Sequence, residues 1–424
     1  MLIEPCLFLK HRSIILEIVF KFFDKGNSMH IVRHFGHVVG GTLLIAATTI
    51  GVGMLALPVA TGPGGLIPAT AIYILTWLFM LCTGLLLLEV CIWMPNDANL
   101  ITMTHRLLGP VGKIICWVVY LFLFVTAMIA HVSGGGGTLR DITSGVLSEG
   151  AAMLLYVLMF SPIVYLGTKS VDRFNVILMG GVLISYLLFI FSAVGHVDMN
   201  LLNHSDWSKA LPAIPILFTA FTYQLIIPTL MTYMERNVAK VRLSIILGSS
   251  ISLIVYLFWE VLILGIIPVD QLIEAQAAGQ TAVMPLKQFL HNPLIFKIGN
   301  YFAFFVLTTS YIALSLAFLD FLADGLKVKK IGIKKVVLCI GIFIPPMLIA
   351  LIYPGIFITA LEYTGGISCA LLFGLLPPVM VWMGRYVKKY QRGSVQLFGG
   401  KTMLISLVVF IVFELILEVM HQFK

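Results

Sequence analysis

GGTLLIAATTIGVGMLALPVATGPGG, residues 40–65, is a segment long and apolar enough to cross a bilayer, yet wrong in its middle for a plain helix. A membrane-spanning helix takes about 20 mainly apolar residues. Here Gly51-Val52-Gly53 follows Thr48 and Thr49, and two glycines one residue apart weaken a helix and free its backbone. In lipid every backbone N–H and C=O has to be satisfied inside the protein. Irregular backbone at membrane depth therefore survives only where protein or a cavity surrounds it. Taken alone, the segment fits two readings: close packing against another helix, for which membrane glycines are common, or an unwound break.

Outward from this segment the rest of the chain is of the same kind. Apolar residues make up 60% and charged residues 11%, and mean hydropathy is +1.04. Soluble domains sit near roughly 45–50% and 25%. No soluble fold of 424 residues has an interior able to hide so much apolar side chain, so lipid is the solvent for most of it. Eleven stretches meet the length criterion: 38–62, 66–94, 111–134, 151–168, 174–194, 211–233, 243–266, 295–324, 333–352, 355–382 and 402–420. With the N-terminus inside and strict alternation, only Arg140, Lys209, Lys287, Lys297 and Lys424 of the 27 basic residues fall outside. That skew is the positive-inside pattern, and a missed or spurious helix would scramble it. It also accounts for the net charge of +8 as topology. Nucleic acid is not expected as a partner, since no stacking platform or basic groove accompanies the charge.

The six cysteines carry no CxxC or Cys/His spacing, so no metal or other cofactor is expected. Residues 1–23, MLIEPCLFLKHRSIILEIVFKFF, are too short and too charged to span. No small-residue cleavage site follows them, which argues against a signal peptide. An interfacial amphipathic helix and a translation start at Met29 both stay open. The expected organisation is a cytoplasmic segment 1–35 and a transporter domain 36–424. Within that domain, 38–194 and 211–382 form two repeats and 402–420 an extra helix.

The sixth span reads LPAIPILFTAFTYQLIIPTLMTYM, 211–234. Pro212, Pro215 and Pro228 punctuate it, and Thr219, Thr222, Tyr223 and Gln224 place polar groups at mid-membrane. Pro228 has no N–H, so the carbonyl near Gln224 loses its helical partner. Read alone, this is a kinked helix or a broken one. Read with the first span, it is the second of two interruptions opening corresponding five-helix halves, the pointer to an inverted-repeat transporter. A half-helix starting after Gly53 presents a positive dipole and unpaired N–H groups, suited to a carboxylate. Half-helices ending near Ile50 and Thr219 present carbonyls, suited to an ammonium. No charge sits in the middle of either segment. Together these features describe a site for a net-neutral amino acid.

The first-span segment, with LLLLEV at 85–90, IPILFTAF at 214–221, IPTLMTYM at 227–234 and LAFLDFLADGL at 316–326, resembles the bacterial hydroxy and aromatic amino acid permeases, the tyrosine-specific ones above all. The resemblance runs from about residue 36 to the last helix. It implies an all-α polytopic membrane protein of eleven transmembrane helices, with a LeuT-like five-plus-five inverted repeat and broken helices 1 and 6. It further implies proton-driven uptake of tyrosine, tryptophan or phenylalanine across a bacterial inner membrane, with the C-terminus periplasmic. The family's first-helix glycine motif maps onto Thr49, Gly51, Gly53 and Met54, and Ile50 and Val52 between them are expected in the same site. Its sixth-helix break maps onto Phe218, Thr219, Phe221, Thr222, Tyr223 and Gln224. Phe221 and Tyr223 are the rings expected to stack on substrate. This chain departs from its close relatives at Thr222 and Gln224, where a Gly and a His are frequent, and at His131, which replaces an aromatic residue.

Intramembrane ionisable groups are functional candidates by default. Asp320, His131 and Glu89 are the candidates for proton coupling. Asp320 is favoured because helix 8 packs near the site in the resembled fold. The bland alternatives are pairing at the interface for the carboxylates and a satisfied hydrogen bond for the histidine. Glu260, Glu362 and Glu418 sit near outer ends, and Glu414 is deepest, on the helix outside the repeat. A sodium-coupled or exchange transporter of another neutral amino acid is the alternative function. An enzyme would call for paired carboxylates or a His cluster, and a channel for charged rings or a filter repeat; the sequence carries neither.

Overall fold

The computed structural model describes residues 31–95, 98–286, 293–390, 396–397 and 399–422. The amphipathic or untranslated reading of residues 1–28 therefore lies outside the described residues, as do Lys287, Arg392 and Lys424 of the charge pattern. The described residues hold helices and no strand.

Each expected span has its helix. The first is a bent pair, Gly36–Thr49 and Val52–Gly64, with 54° between its halves. The others are Leu66–Ile92, Leu100–Ile142, Glu149–Leu166, Thr168–His196, Trp207–Tyr233, Val238–Ile266, Leu294–Gly325, Gly332–Ile352, Phe357–Val387 and Gly400–Glu418. The third is longer than its apolar core because a short surface segment runs into it at Gly109-Pro110. Gly109 has φ 81° and ψ −168°, a conformation open to glycine, and Pro110 then starts the membrane part with its φ already helical.

Packing follows a two-fold pattern. The first span packs on the seventh and the sixth on the second; the third packs on the tenth and the eighth on the fifth. Adding or subtracting five exchanges the members of each set, as expected of two five-helix halves. Large apolar side chains left exposed, such as Ile177, Phe191 and Phe258, make the outer wall that lipid covers. The basic residues of the connecting segments gather at one end of the bundle by alternation. That end is called the basic end below.

The tenth span is not a plain helix. Phe357–Glu362 is α-helical, but Tyr363–Leu375 winds as a π-helix. The wider turn makes room for the first half of the sixth span. A Cβ on Gly365 would run into the Pro215 carbonyl and the Thr219 hydroxyl, and Thr219 Oγ1 donates to Leu361 O at 3.0 Å. Long π segments are rare and frequently mark functional sites.

Candidate functional site

The two interruptions meet. The first half of the first span, on the side of the basic end, stops at Thr49, with the Ile50 N–H returning to Ala46 O at 2.8 Å. Gly51 is extended (φ −143°, ψ −151°), and a new helix starts at Val52. The first N–H groups of such a helix have no partner inside it and carry its positive dipole end. In the sixth span, Ile214–Ala220 ends at Phe221 and the chain resumes helical winding only at Gln224. Between them Phe221, Thr222 and Tyr223 hold non-helical or turn backbone.

Gly53 is where the halves touch. A Cβ there would lie 2.7 Å from Ala220 Cα and 2.8 Å from Ala220 Cβ. Of the two glycines, Gly51 makes the break and Gly53 makes the close approach. Val52 and Met54 flank that contact and are buried, and the Met54 N–H reaches back to Gly51 O at 3.1 Å.

A side chain from the seventh span joins both breaks. The Tyr256 hydroxyl lies 2.6 Å from Thr49 O and 2.9 Å from Ala220 O. These are end-of-helix carbonyls with no N–H four residues on to serve them. Tyr256 also stands edge-on to Phe221, with ring centroids 5.2 Å apart. Sequence reading missed this residue. The signal for it was a tyrosine inside an apolar span, whose hydroxyl needs an acceptor in lipid. Replacing Tyr256 by Phe keeps the ring and strands the carbonyls. We expect a loss of about 1–3 kcal/mol of stability, read as a lower midpoint of thermal unfolding in detergent. A midpoint equal to that of the wild type would show that the two carbonyls find other donors.

The remaining residues of the sixth-span break divide into two groups. Phe218 packs on Phe79 of the second span, centroids 5.6 Å apart. Thr222 returns its hydroxyl to Phe218 O at 2.6 Å. Phe221 lies between Tyr256 and Tyr73, next to the contact of the two spans. Tyr223 and Gln224 turn away from it. The Tyr223 hydroxyl donates to Met80 O at 3.1 Å, its ring fills the space above Gly84, and Gln224 Nε2 reaches Met80 O at 3.3 Å. Gln224 Oε1 accepts from the Tyr223 N–H at 2.9 Å. The amide thus satisfies backbone that the unwinding left open, and of the two expected rings only Phe221 faces the paired breaks.

The three ionisable candidates lie elsewhere. Glu89 is buried at the basic end of the second span and clamped by Arg385, Nε to Oε1 at 2.7 Å and Nη2 to Oε2 at 2.5 Å. Arg236 caps the same helix end through Cys91 O and Ile92 O, both at 3.1 Å. Asp320 pairs with Lys330 at 2.6 Å in a partly buried contact. His131 is buried with Nδ1 2.7 Å from Ala127 O, and its Nε2 has no partner among the described residues. Among the described residues, no hydrogen bond or ion pair joins Glu89, Asp320 or His131 to the breaks. Serine reaches the site from the eighth span instead: the Cβ position of Gly51 is 3.2 Å from Ser310 Oγ.

Comparison with known proteins agrees with this geometry. The chain is 29% identical to the "Tyrosine-specific transport system 1" of Haemophilus influenzae, over 88% of this chain and 94% of that relative. It is 27% identical to a "Tryptophan-specific transport protein" of Pseudomonas aeruginosa, over 88% and 92%. The crystal structure of MhsT in complex with L-phenylalanine superposes with a TM-score of 0.60 at 14% identity, covering 90% of this chain and 98% of that one; this likeness concerns the fold. The model of the Tryptophan/tyrosine permease family matches residues 35–418. With nearly the whole described chain inside that match, this protein belongs to the tryptophan/tyrosine permease family, whose members are transport proteins and not enzymes.

Proposed function

We propose that the chain imports an aromatic amino acid by proton symport, tyrosine first and tryptophan or phenylalanine next. The observation that carries this reading is the paired interruption of the first and sixth spans, closed on each other at Gly53 and Ala220 with Phe221 beside them. The open N–H groups at Val52 and Gly53 suit the substrate carboxylate. The carbonyls of Thr49 and Ala220, now held by Tyr256, suit its ammonium. Residues 49–54 and 218–222 then form the binding site, and the aromatic surface around Phe221 receives the ring. Tyrosine is preferred because the first relative named above is described as tyrosine-specific. The repeats would run over 38–194 and 211–382, and the basic end would face the cytoplasm of a bacterium, with the C-terminus periplasmic.

Purified protein in proteoliposomes is expected to accumulate labelled tyrosine under an inward proton gradient, with unlabelled tryptophan and phenylalanine competing. Absence of uptake for all three would overturn the substrate reading. Uptake that survives collapse of the proton gradient and follows sodium would move the coupling to the alternative ion.

A further inference from the structure

Glu260 lies on the seventh span one helical turn beyond Tyr256, with none of its surface exposed. A carboxylate buried in this way is costly unless paired or well bonded. Among the described residues no lysine, arginine or histidine forms an ion pair with it. Its partners are two hydroxyls. Thr61 Oγ1, from the outer half of the first span, lies 2.5 Å from Oε1, and the Tyr73 hydroxyl of the second span lies 2.6 Å from Oε2. Tyr73 is the titratable group bonded to it, and the first span contributes the Thr61 hydroxyl. The segment 194–203 crosses the same helix end, but its His196 and Asp198 are exposed at the surface.

Counting protons shows which state of Glu260 gives each of these contacts its own proton. Thr61 Oγ1 is also 2.7 Å from Leu57 O. Three oxygen pairs therefore stand at 2.5, 2.6 and 2.7 Å, and each is a hydrogen-bond distance. A threonine and a tyrosine supply one proton each. With Glu260 ionised, two protons serve three contacts, and the Thr61 proton has to be shared between Glu260 Oε1 and Leu57 O, as the Tyr256 proton is shared between two carbonyls. With Glu260 protonated, its O–H donates to Thr61 Oγ1, Thr61 donates to Leu57 O, and Tyr73 donates to Oε2. Every contact then holds one proton.

We infer that Glu260 is a proton-carrying group of this transporter, loaded in the arrangement seen here, with Thr61 and Tyr73 as the pair that senses its charge. This rests on the proton-symport reading and assigns the residue within it. Loading forms one carboxyl O–H bond with a proton from the outer solution, and unloading returns that proton to the inner solution. On unloading, the Thr61 O–H turns from Leu57 O to donate to the carboxylate, and the Thr61 side-chain hydrogen bond to Leu57 O is weakened or lost. The outer end of the first span then repacks. The same charge pulls on Tyr73, whose ring stands edge-on to Phe221 at 6.5 Å, and Phe221 abuts the Tyr256 bridge between the breaks. A short contiguous path thus joins the proton to the substrate site.

The test compares wild type, Glu260→Gln and Tyr73→Phe in proteoliposomes, reading both gradient-driven accumulation and exchange of labelled for unlabelled tyrosine. For one coupled proton, wild-type accumulation rises about tenfold per pH unit of gradient, since a tenfold ratio corresponds to about 1.4 kcal/mol. Glu260→Gln is expected to fall to simple equilibration, without response to the gradient, while exchange continues. A wild type that ignores the gradient overturns the symport reading and this inference with it. A gradient-sensitive wild type with an equally sensitive Glu260→Gln overturns the inference alone. Should Glu260→Gln be silent in both readouts, Tyr73→Phe decides. Removing a donor to the ionised carboxyl is expected to move the midpoint of the pH profile of uptake toward alkaline. An unmoved midpoint overturns the assignment.

Discussion

Gly53→Leu is expected to abolish uptake while leaving membrane insertion at the wild-type level. Even the first carbon of a side chain at this position would meet Ala220 backbone and Cβ at 2.7–2.8 Å, contacts that no flexible side chain can relieve. The helix Val52–Thr61 of the first span would have to move off the helix Ile214–Ala220 of the sixth. Overpacking of this sort costs about 1–3 kcal/mol in an ordinary core. Here it also separates the open N–H groups after Gly51 from the carbonyls at Ala220, the two sides proposed to hold one substrate. Insertion is governed by hydrophobicity, which leucine raises. Gly53→Ala should be impaired to a lesser degree. Gly51→Ala should be the mildest, because its φ of −143° is open to alanine and its Cβ would meet only the Ser310 hydroxyl at 3.2 Å. The check is labelled tyrosine uptake normalised to protein in the membrane. Full uptake by Gly53→Leu would show that the two spans do not approach at this point in the working protein.

That ranking could not be written from the sequence, which treats Gly51 and Gly53 alike. What the sequence does carry is one-dimensional: hydropathy marks each of the eleven spans, and Gly-Val-Gly with the three prolines marks the two breaks. Interactions between distant segments leave little trace. Thr61 and Glu260 are 199 residues apart, and a tyrosine at 256 in an apolar helix reads as packing. Tyr223 and Gln224 are expected at the site because they place polar groups at mid-membrane, and the structure gives their polar atoms to Met80 O and the Tyr223 N–H. The competing demand is backbone satisfaction: unwinding releases N–H and C=O groups, and Gln224 is consumed in serving one of them. The π winding of 363–375 has no compositional signature beyond Gly365-Gly366, and it follows from having to fit around the proline-punctuated half of the sixth span. The third span outgrew its apolar core for a local reason, a Gly-Pro pair at 109–110 that begins a helix instead of ending one.

Glu89→Gln is expected to destabilise the protein strongly. Both members of the pair are buried, at 1% side-chain exposure for Glu89 and 5% for Arg385, and both guanidinium contacts are short. Removing one partner of a buried ion pair leaves the other charged and uncompensated, a loss of about 3–5 kcal/mol. Glu89→Gln with Arg385→Gln removes both charges, so the double variant should lose less than the two single variants together. The difference is the coupling energy that a double-mutant cycle isolates, measured by thermal unfolding in detergent. The pair ties the end of the second span to the end of the tenth, next to the helix terminus that Arg236 caps. Its weakening should therefore loosen the basic end of the bundle before it affects the paired breaks. A coupling role for Glu89 demands a different pattern. Proton binding would have to release Arg385 in every cycle, so Glu89→Gln would mimic the loaded state, keep its stability and lose only its response to pH. Stability lost together with a retained pH response therefore identifies the pair as a clamp, whereas stability kept with the pH response gone would return Glu89 to the proton pathway.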